Sequence, residues 1–225
     1  MANNESQRLF RRVLFFVCSL LILASAYVLY SFANTLNRLD VVESERDQWQ
    51  RPAEVLHALD LQTGNTVVDL GSGAGYFALK LSAAVGKQGR VLAVDLRKLS
   101  LFFLWSRALL RGQSNIQVIN GEEDNPRLAA AAVDAVLICN TYHEFGNPEP
   151  IIGQVFRSLR PGGRLVVVDR ASRVTEAGNA HGKDLSVVED ELRRKGFEIV
   201  RRDARFIDPP GDDLWWLLVG RKRRI

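Results

Sequence analysis

Thr66-Val67-Val68-Asp69-Leu70-Gly71-Ser72-Gly73-Ala74-Gly75-Tyr76 is a short β-branched, apolar run that ends in an acid and three alternating glycines. Such a run reads as a buried strand. The glycines let the backbone turn tightly and let a ligand approach without a Cβ in the way. Tyr76 to Val85 follows with helical apolar spacing, so the glycines sit where a strand meets the amino terminus of a helix. Free N–H groups collect there, and parallel sheets bind their ligands there.

Outward from this stretch, strands and helices alternate. Arg90 to Asp95, Ile116 to Ile119, Val133 to Cys139, Leu165 to Asp169, Phe197 to Arg202 and Leu214 to Arg221 read as strands. Pro52 to Leu59, Leu99 to Leu110, Pro150 to Leu159 and Asp184 to Lys195 read as helices, and Pro161-Gly162-Gly163 as a turn. Alternation with continuously apolar strands predicts an α/β fold, a doubly wound and mostly parallel sheet covered on both faces. Helix Leu99 to Leu110 is apolar around more of its girth than one buried face requires, so core packing and contact with a bilayer both fit it.

The loop narrows the ligand. A dinucleotide loop requires G-x-G-x-x-G, and counting from Gly71 puts Tyr76 at the last glycine. This disfavours a nucleotide-dependent oxidoreductase. No P-loop run is present. Asp95 closes the second strand, where a carboxylate can accept both hydroxyls of a ribose. Gly121-Glu122-Glu123-Asp124 follows the third strand, at a place suited to an adenine edge.

Ahead of the domain, Val13 to Ala33 carries no charge and no proline. At about 1.5 Å per residue it spans about 30 Å, the thickness of a bilayer's hydrocarbon core. The expected organisation is a basic tail over 1–12, a single transmembrane helix over 13–33, a helical linker over 34–50 and the α/β domain over 51–225. Ala24-Ser25-Ala26 would suit a signal-peptidase site, but apolar residues continue past it, which fits an uncleaved anchor better. A buried core helix is the third reading. Arg8, Arg11 and Arg12 favour a cytoplasmic amino terminus, which with a single span would put the domain on the far side, against the cytosol-facing placement that the chemistry below favours.

The chain has 225 residues, 47% apolar and 25% charged, with net charge +4, a globular composition. The basic clusters at Arg8, Arg11 and Arg12 and at Arg221 to Arg224 read as solvated ends, and no specific nucleic acid is expected. Two cysteines and three scattered histidines supply neither a disulfide framework nor a metal site.

The stretches VVDLGSGAGYFALKLS (67–82), VLAVDL (91–96), NGEEDNPRL (120–128), VDAVLICNTYHEF (133–145) and LRPGGRLVVVDR (159–170), in that order, resemble the class I, Rossmann-like S-adenosylmethionine (SAM) dependent methyltransferases. The resemblance covers 51–225 and implies a seven-stranded sheet with its last strand antiparallel. It implies SAM as the cofactor, held by Asp69, Gly71, Ser72, Gly73, Gly75, Tyr76, Asp95, Leu96, Glu122, Glu123 and Asn140. The acceptor should meet the methyl group at the loop Asn140 to Phe145. There His143 is the candidate base, with Tyr142 and Glu144 behind it, and His181 is a candidate for the substrate pocket. The loop lacks the two prolines of enzymes that methylate amino groups of bases, and Asn140 stands where metal-dependent catechol-type enzymes carry acids. The cysteines are too few for an arsenite-type enzyme. The resulting expectation is a membrane-anchored methyltransferase with a small or lipid-like acceptor and a cytosol-facing domain, since SAM is made in the cytosol. A SAM-binding, membrane-attached interaction module without turnover is the alternative.

Overall fold

The computed structural model describes residues 2–174, 180–207 and 214–224. The chain divides into two compact units, Met1–Ser44 and Glu45–Ile225. Helix α1 (Ala2–Trp49) forms the first unit and ends inside the second. The stretches expected as tail, span and linker are thus one unbroken helix. Neither proline nor glycine occurs between Ala2 and Arg51 to interrupt it. Its apolar window has a mean hydropathy of 2.4, and none of that window is buried. A core helix would have hidden it, so that reading does not fit.

The second unit is built on one seven-stranded sheet. Its elements are α2 (Pro52–Leu59), β1 (Thr66–Leu70), α3 (Tyr76–Val85), β2 (Arg90–Asp95), α4 (Lys98–Leu110), β3 (Ile116–Asn120), β4 (Val133–Cys139), α5 (Pro148–Ser158), β5 (Leu159–Arg170), β6 (Arg173–Val174), β7 (Ala180–His181), α6 (Leu185–Arg194), β8 (Phe197–Ile207) and β9 (Trp215–Lys222). The strand order is β3-β2-β1-β4-β5-β9-β8. The first five strands run parallel, and β9 lies antiparallel to both β5 and β8. This is the α/β, doubly wound architecture with an antiparallel last strand.

Successive strand residues serve opposite faces, as the two-residue period of a strand requires. Val67, Val91, Leu137 and Val166 pack with α2, α3 and α4, while Val68, Val94, Ile138 and Val167 pack with α5 and α6. Both Val67 and Val68 are fully buried, each side chain contributing about 1.5–3 kcal/mol. The winding reverses between β1 and β4, which opens a crevice at their carboxyl ends.

One expectation needs correcting. Pro161-Gly162-Gly163 does not separate a helix from a strand. It is a bulge inside β5, where the register against β4 jumps from Val133↔Leu159 to Ala135↔Arg164. Gly162, at φ 86, makes that excursion possible, so Leu159 belongs to the strand and α5 ends at Ser158. Around His181, β7 pairs antiparallel with β6.

Helix α4 buries one apolar face and leaves another exposed. Leu101, Leu104 and Ala108 are buried against the sheet, while Leu99, Phe102, Trp105, Leu109 and Leu110 are exposed. Arg107, almost fully buried, donates to the carbonyl of Ala74 at 2.6 Å and so ties α4 to the glycine loop.

Candidate functional site

Two loops face each other across the crevice, one after β1 and one after β4. Their closeness is measured at Gly71, where a Cβ would fall 2.3 Å from the side chain of Thr141. The N–H groups of Gly71 and Ser72 donate to the Val94 carbonyl at 2.8 and 3.0 Å, which docks the first loop on the end of β2. Gly75, at φ 100, starts α3.

Asp69 is buried at the end of β1 and accepts the N–H of Ala78 in the first turn of α3. Its other oxygen, Oδ2, is buried without a hydrogen-bond partner, as is the hydroxyl of Ser72. Burial, opposed by the Ala78 bond and reinforced by Asp95, pushes the Asp69 carboxyl up to about 7. Unpaired buried polar atoms are costly, and a polar ligand reaching these two would relieve that cost. Asp95 accepts the N–H of Gly73 at 2.7 Å and that of Arg97 at 2.8 Å. Its carboxylate is thereby aimed across the mouth of the loop.

A cavity beside these groups is lined by Gly71, Asp95, Leu96, Arg97, Glu122 and Glu123, with Thr141, Glu144 and Phe145 on the opposite wall. The structure thus brings six of the residues singled out from sequence (Gly71, Asp95, Leu96, Glu122, Glu123 and Glu144) around one space. Glu122 is also paired with Arg127. A buried carboxylate and hydroxyl with open valences, a glycine cradle and a carboxylate at ribose position suit an amino-acid nucleoside such as SAM.

The second loop begins at Asn140, which holds φ 54, a left-handed conformation that asparagine tolerates better than most residues. Its Oδ1 accepts from Arg170 Nε at 3.0 Å. A single 3-10 turn, Tyr142–Glu144, follows. Tyr142 does not face the cavity. It is fully buried, and its hydroxyl donates to Glu191, because the turn sends its ring into the core beside Phe145. Its hydroxyl proton is held tightly, first by burial and then by the Glu191 charge.

His143 points to a residue the sequence reading did not single out. Asp169, with no exposed surface at the end of β5, meets His143 Nδ1 at 2.7 Å and accepts its backbone N–H at 3.1 Å. The Asp169 bond raises the imidazole's pKa above its ordinary value, partly offset by burial. With Nδ1–H donating to the carboxylate, Nε2 is left as the acceptor. Asp169 appears in the sequence only as the last residue of an apolar strand, and its partner lies 26 positions away. The backbone of His181 pairs with Arg173 between β7 and β6, and its side chain lies outside the described part.

The segment just before the domain also joins the site. Gln50 is completely buried and donates to Cys139 Sγ at 3.3 Å. Asp47 accepts the Tyr76 hydroxyl at 2.7 Å and pairs with Lys80 at 2.8 Å. The guanidinium of Arg46 lies 3.9 Å over the Tyr76 ring.

Comparison with known proteins agrees with this geometry. The family described as a methyltransferase domain matches residues 61–202. The chain is 31% identical over 110 residues to the ubiquinone/menaquinone biosynthesis C-methyltransferase UbiE of Pseudomonas fluorescens, a match that covers 48% of this chain and 43% of that one. It is also 31% identical over 111 residues to protein-L-isoaspartate O-methyltransferase 2 of Archaeoglobus fulgidus, covering 48% and 47%. The chain thus spans less than half the length of these curated relatives. Among solved structures, a SAM dependent methyltransferase from Aquifex aeolicus superposes with a TM-score of 0.68 at 23% identity, over 83% of this chain and 97% of that one. With the glycine loop, the strand order and the family match in agreement, the chain belongs to the methyltransferase domain family, in its class I, SAM-dependent branch.

Proposed function

We propose that the protein is a membrane-anchored methyltransferase that moves the methyl group of SAM to a small lipophilic acceptor. The observation that carries the donor is the pair of unpartnered buried groups, Asp69 Oδ2 and Ser72 Oγ, at the end of β1. Asp69 and Ser72 would hold the methionine part, Asp95 the ribose, and Leu96, Glu122 and Glu123 the adenosine side of the cavity. When bound, the sulfonium supplies an activated methyl carbon. Transfer would form a bond from the acceptor to that carbon and break the carbon–sulfur bond, whose electron pair would stay on sulfur.

What remains for the protein is to position the acceptor and to receive its proton. His143, with Nε2 as its free acceptor, would take that proton, and Asp169 would steady the resulting imidazolium as a positioning residue. Glu144, on the cavity wall, adds negative charge near both His143 and Arg97. The quinone C-methyltransferases among the relatives favour an aromatic, lipophilic acceptor.

The anchor reading rests on the apolar window of α1, with the domain on the cytosolic side where the donor is made. Incubating membranes with methyl-labelled SAM and the full chain is expected to place label in an organic-soluble product. Label confined to protein or nucleic acid would overturn the acceptor class.

The exposed face of α4 supports the same reading, because Leu99, Phe102 and Trp105 form an amphipathic surface flanked by Arg97 and Lys98. In vesicles of brominated phosphatidylcholine, the full chain should lose tryptophan emission relative to unbrominated vesicles, and Trp105→Phe should lose much less. Equal quenching of the two proteins would remove α4 from the bilayer. Their melting temperatures should agree, since exposed substitutions stay within about 0.5 kcal/mol.

A further inference from the structure

Residues Glu45 to Gln50 precede the domain that the family match covers, yet they belong to the same compact unit and are built into its crevice. Three contacts hold this segment. Trp49 packs on Trp215 with ring centroids 5.6 Å apart, Asp47 ties to Tyr76 and Lys80, and Gln50 is buried against Cys139.

Arg46 is what these contacts hold in place. Its Nε donates to Gln50 Oε1 at 2.7 Å, a neutral partner, and its plane rests on the Tyr76 ring. Asp47, whose carboxylate feels the Arg46 charge, is itself committed to Tyr76 and Lys80. The charge nevertheless reaches the ends of β1 and β4, since it draws down the carboxyl of Asp69 and the thiol of Cys139 against their burial. A half-buried guanidinium, fixed from below by an aromatic face and from the side by an amide, is preorganised for a planar anion. That charge acts on Asp69, whose Oδ2, like the hydroxyl of Ser72, is buried without a partner. A cation beside a buried carboxylate and a hydroxyl is complementary to a zwitterionic amino acid.

We infer that Arg46 binds the α-carboxylate of the cofactor's methionine part, with Asp69 facing its α-ammonium group, so that a residue from outside the glycine-loop domain completes the cofactor site. The inference rests on the SAM reading of the crevice and deepens it. It makes Asp47 a positioning residue, because the Tyr76 ring on which Arg46 rests is held by Asp47. It also sets a discrimination. Ligands that carry the amino-acid end should bind through Arg46, whereas the same nucleoside without that end should ignore it.

The test uses the full chain in detergent and calorimetry with two probes, S-adenosylhomocysteine and 5′-methylthioadenosine, the second lacking the amino acid. Arg46→Gln should weaken S-adenosylhomocysteine about 10- to 100-fold, the usual worth of a hydrogen bond to a charged group, and leave 5′-methylthioadenosine within about twofold. Arg46→Lys, which keeps the charge without the fork, should recover part of the loss. An equal loss for both probes would show Arg46 to be a structural support and overturn the inference, as would no loss for either. If the wild-type chain bound neither probe, the cofactor reading itself would fall and take the inference with it. Near-ultraviolet circular dichroism of the stacked Trp49 and Trp215 confirms that the variants keep the segment docked.

Discussion

Replacing His143 by alanine is expected to cut methyl transfer about 10²- to 10³-fold, the usual worth of a positioned general base, and to leave S-adenosylhomocysteine binding unchanged. His143 does not line the cavity with Asp95 and Glu122, so the loss should fall on turnover. Asp169→Asn separates catalysis from packing through pH. The neutral imidazole is the form that accepts a proton, and Asp169 raises its pKa above the ordinary value near ~6.5. Turnover should therefore decline as pH falls through that raised value, with the acid limb lying above pH ~6.5. An asparagine keeps the size but loses the charge that favoured the imidazolium, so the limb should move to lower pH. The plateau should drop too, because the Nδ1–H tautomer is no longer held by a carboxylate. Turnover unaltered in His143→Ala, or an acid limb unmoved in Asp169→Asn, would reject the base.

What the sequence showed and what it hid follow from the range of each interaction. Strands β1, β2 and β4 were readable because each is a continuous apolar run buried on both faces, and their limits agree with the structure residue for residue. The glycine loop was readable because its conformation is local, set by residue type over a few positions. Extended β8 was read short, since its later residues alternate in charge and pair with β9 across a bulge. The Pro161-Gly162-Gly163 bulge was read as a turn because proline and glycine mark a break in direction and carry no information on whether the chain returns to the same ladder. Asp169 and Arg46 escaped for another reason. Each acts on a partner far away in sequence, His143 or Tyr76, and only the sheet order brings them together. Tyr142 shows the converse. Its place beside His143 suggested the cleft, but neighbouring residues in a 3-10 turn diverge, and the larger, more apolar ring took the core.

The sharpest separation of folding from cofactor binding should come from two alanines placed two residues apart. Gly75, at φ 100, leaves no room for a side chain, because a Cβ would stand 2.3 Å from Cδ1 of fully buried Leu104. Gly75→Ala combines backbone strain of about 1–2 kcal/mol with overpacking of about 1–3 kcal/mol. A melting temperature lowered by about 5–15 °C is expected at this chain length. Gly73 differs in the packing alone. Its φ of 54 carries a similar backbone cost of about 1–2 kcal/mol, but nothing stands within 4 Å of the Cβ position. That open space adjoins the carboxylate of Asp95, which accepts the Gly73 N–H, so the new methyl would occupy room needed by the ligand. Gly73→Ala should therefore melt within about 5 °C of the wild type yet weaken S-adenosylhomocysteine at least about tenfold, one lost contact of roughly 1.4 kcal/mol. Gly75→Ala, measured well below its melting point, should bind more nearly as the wild type does. If Gly73→Ala kept full affinity, the open side of the loop would not be the cofactor's side, and the donor would have to lie elsewhere along the crevice.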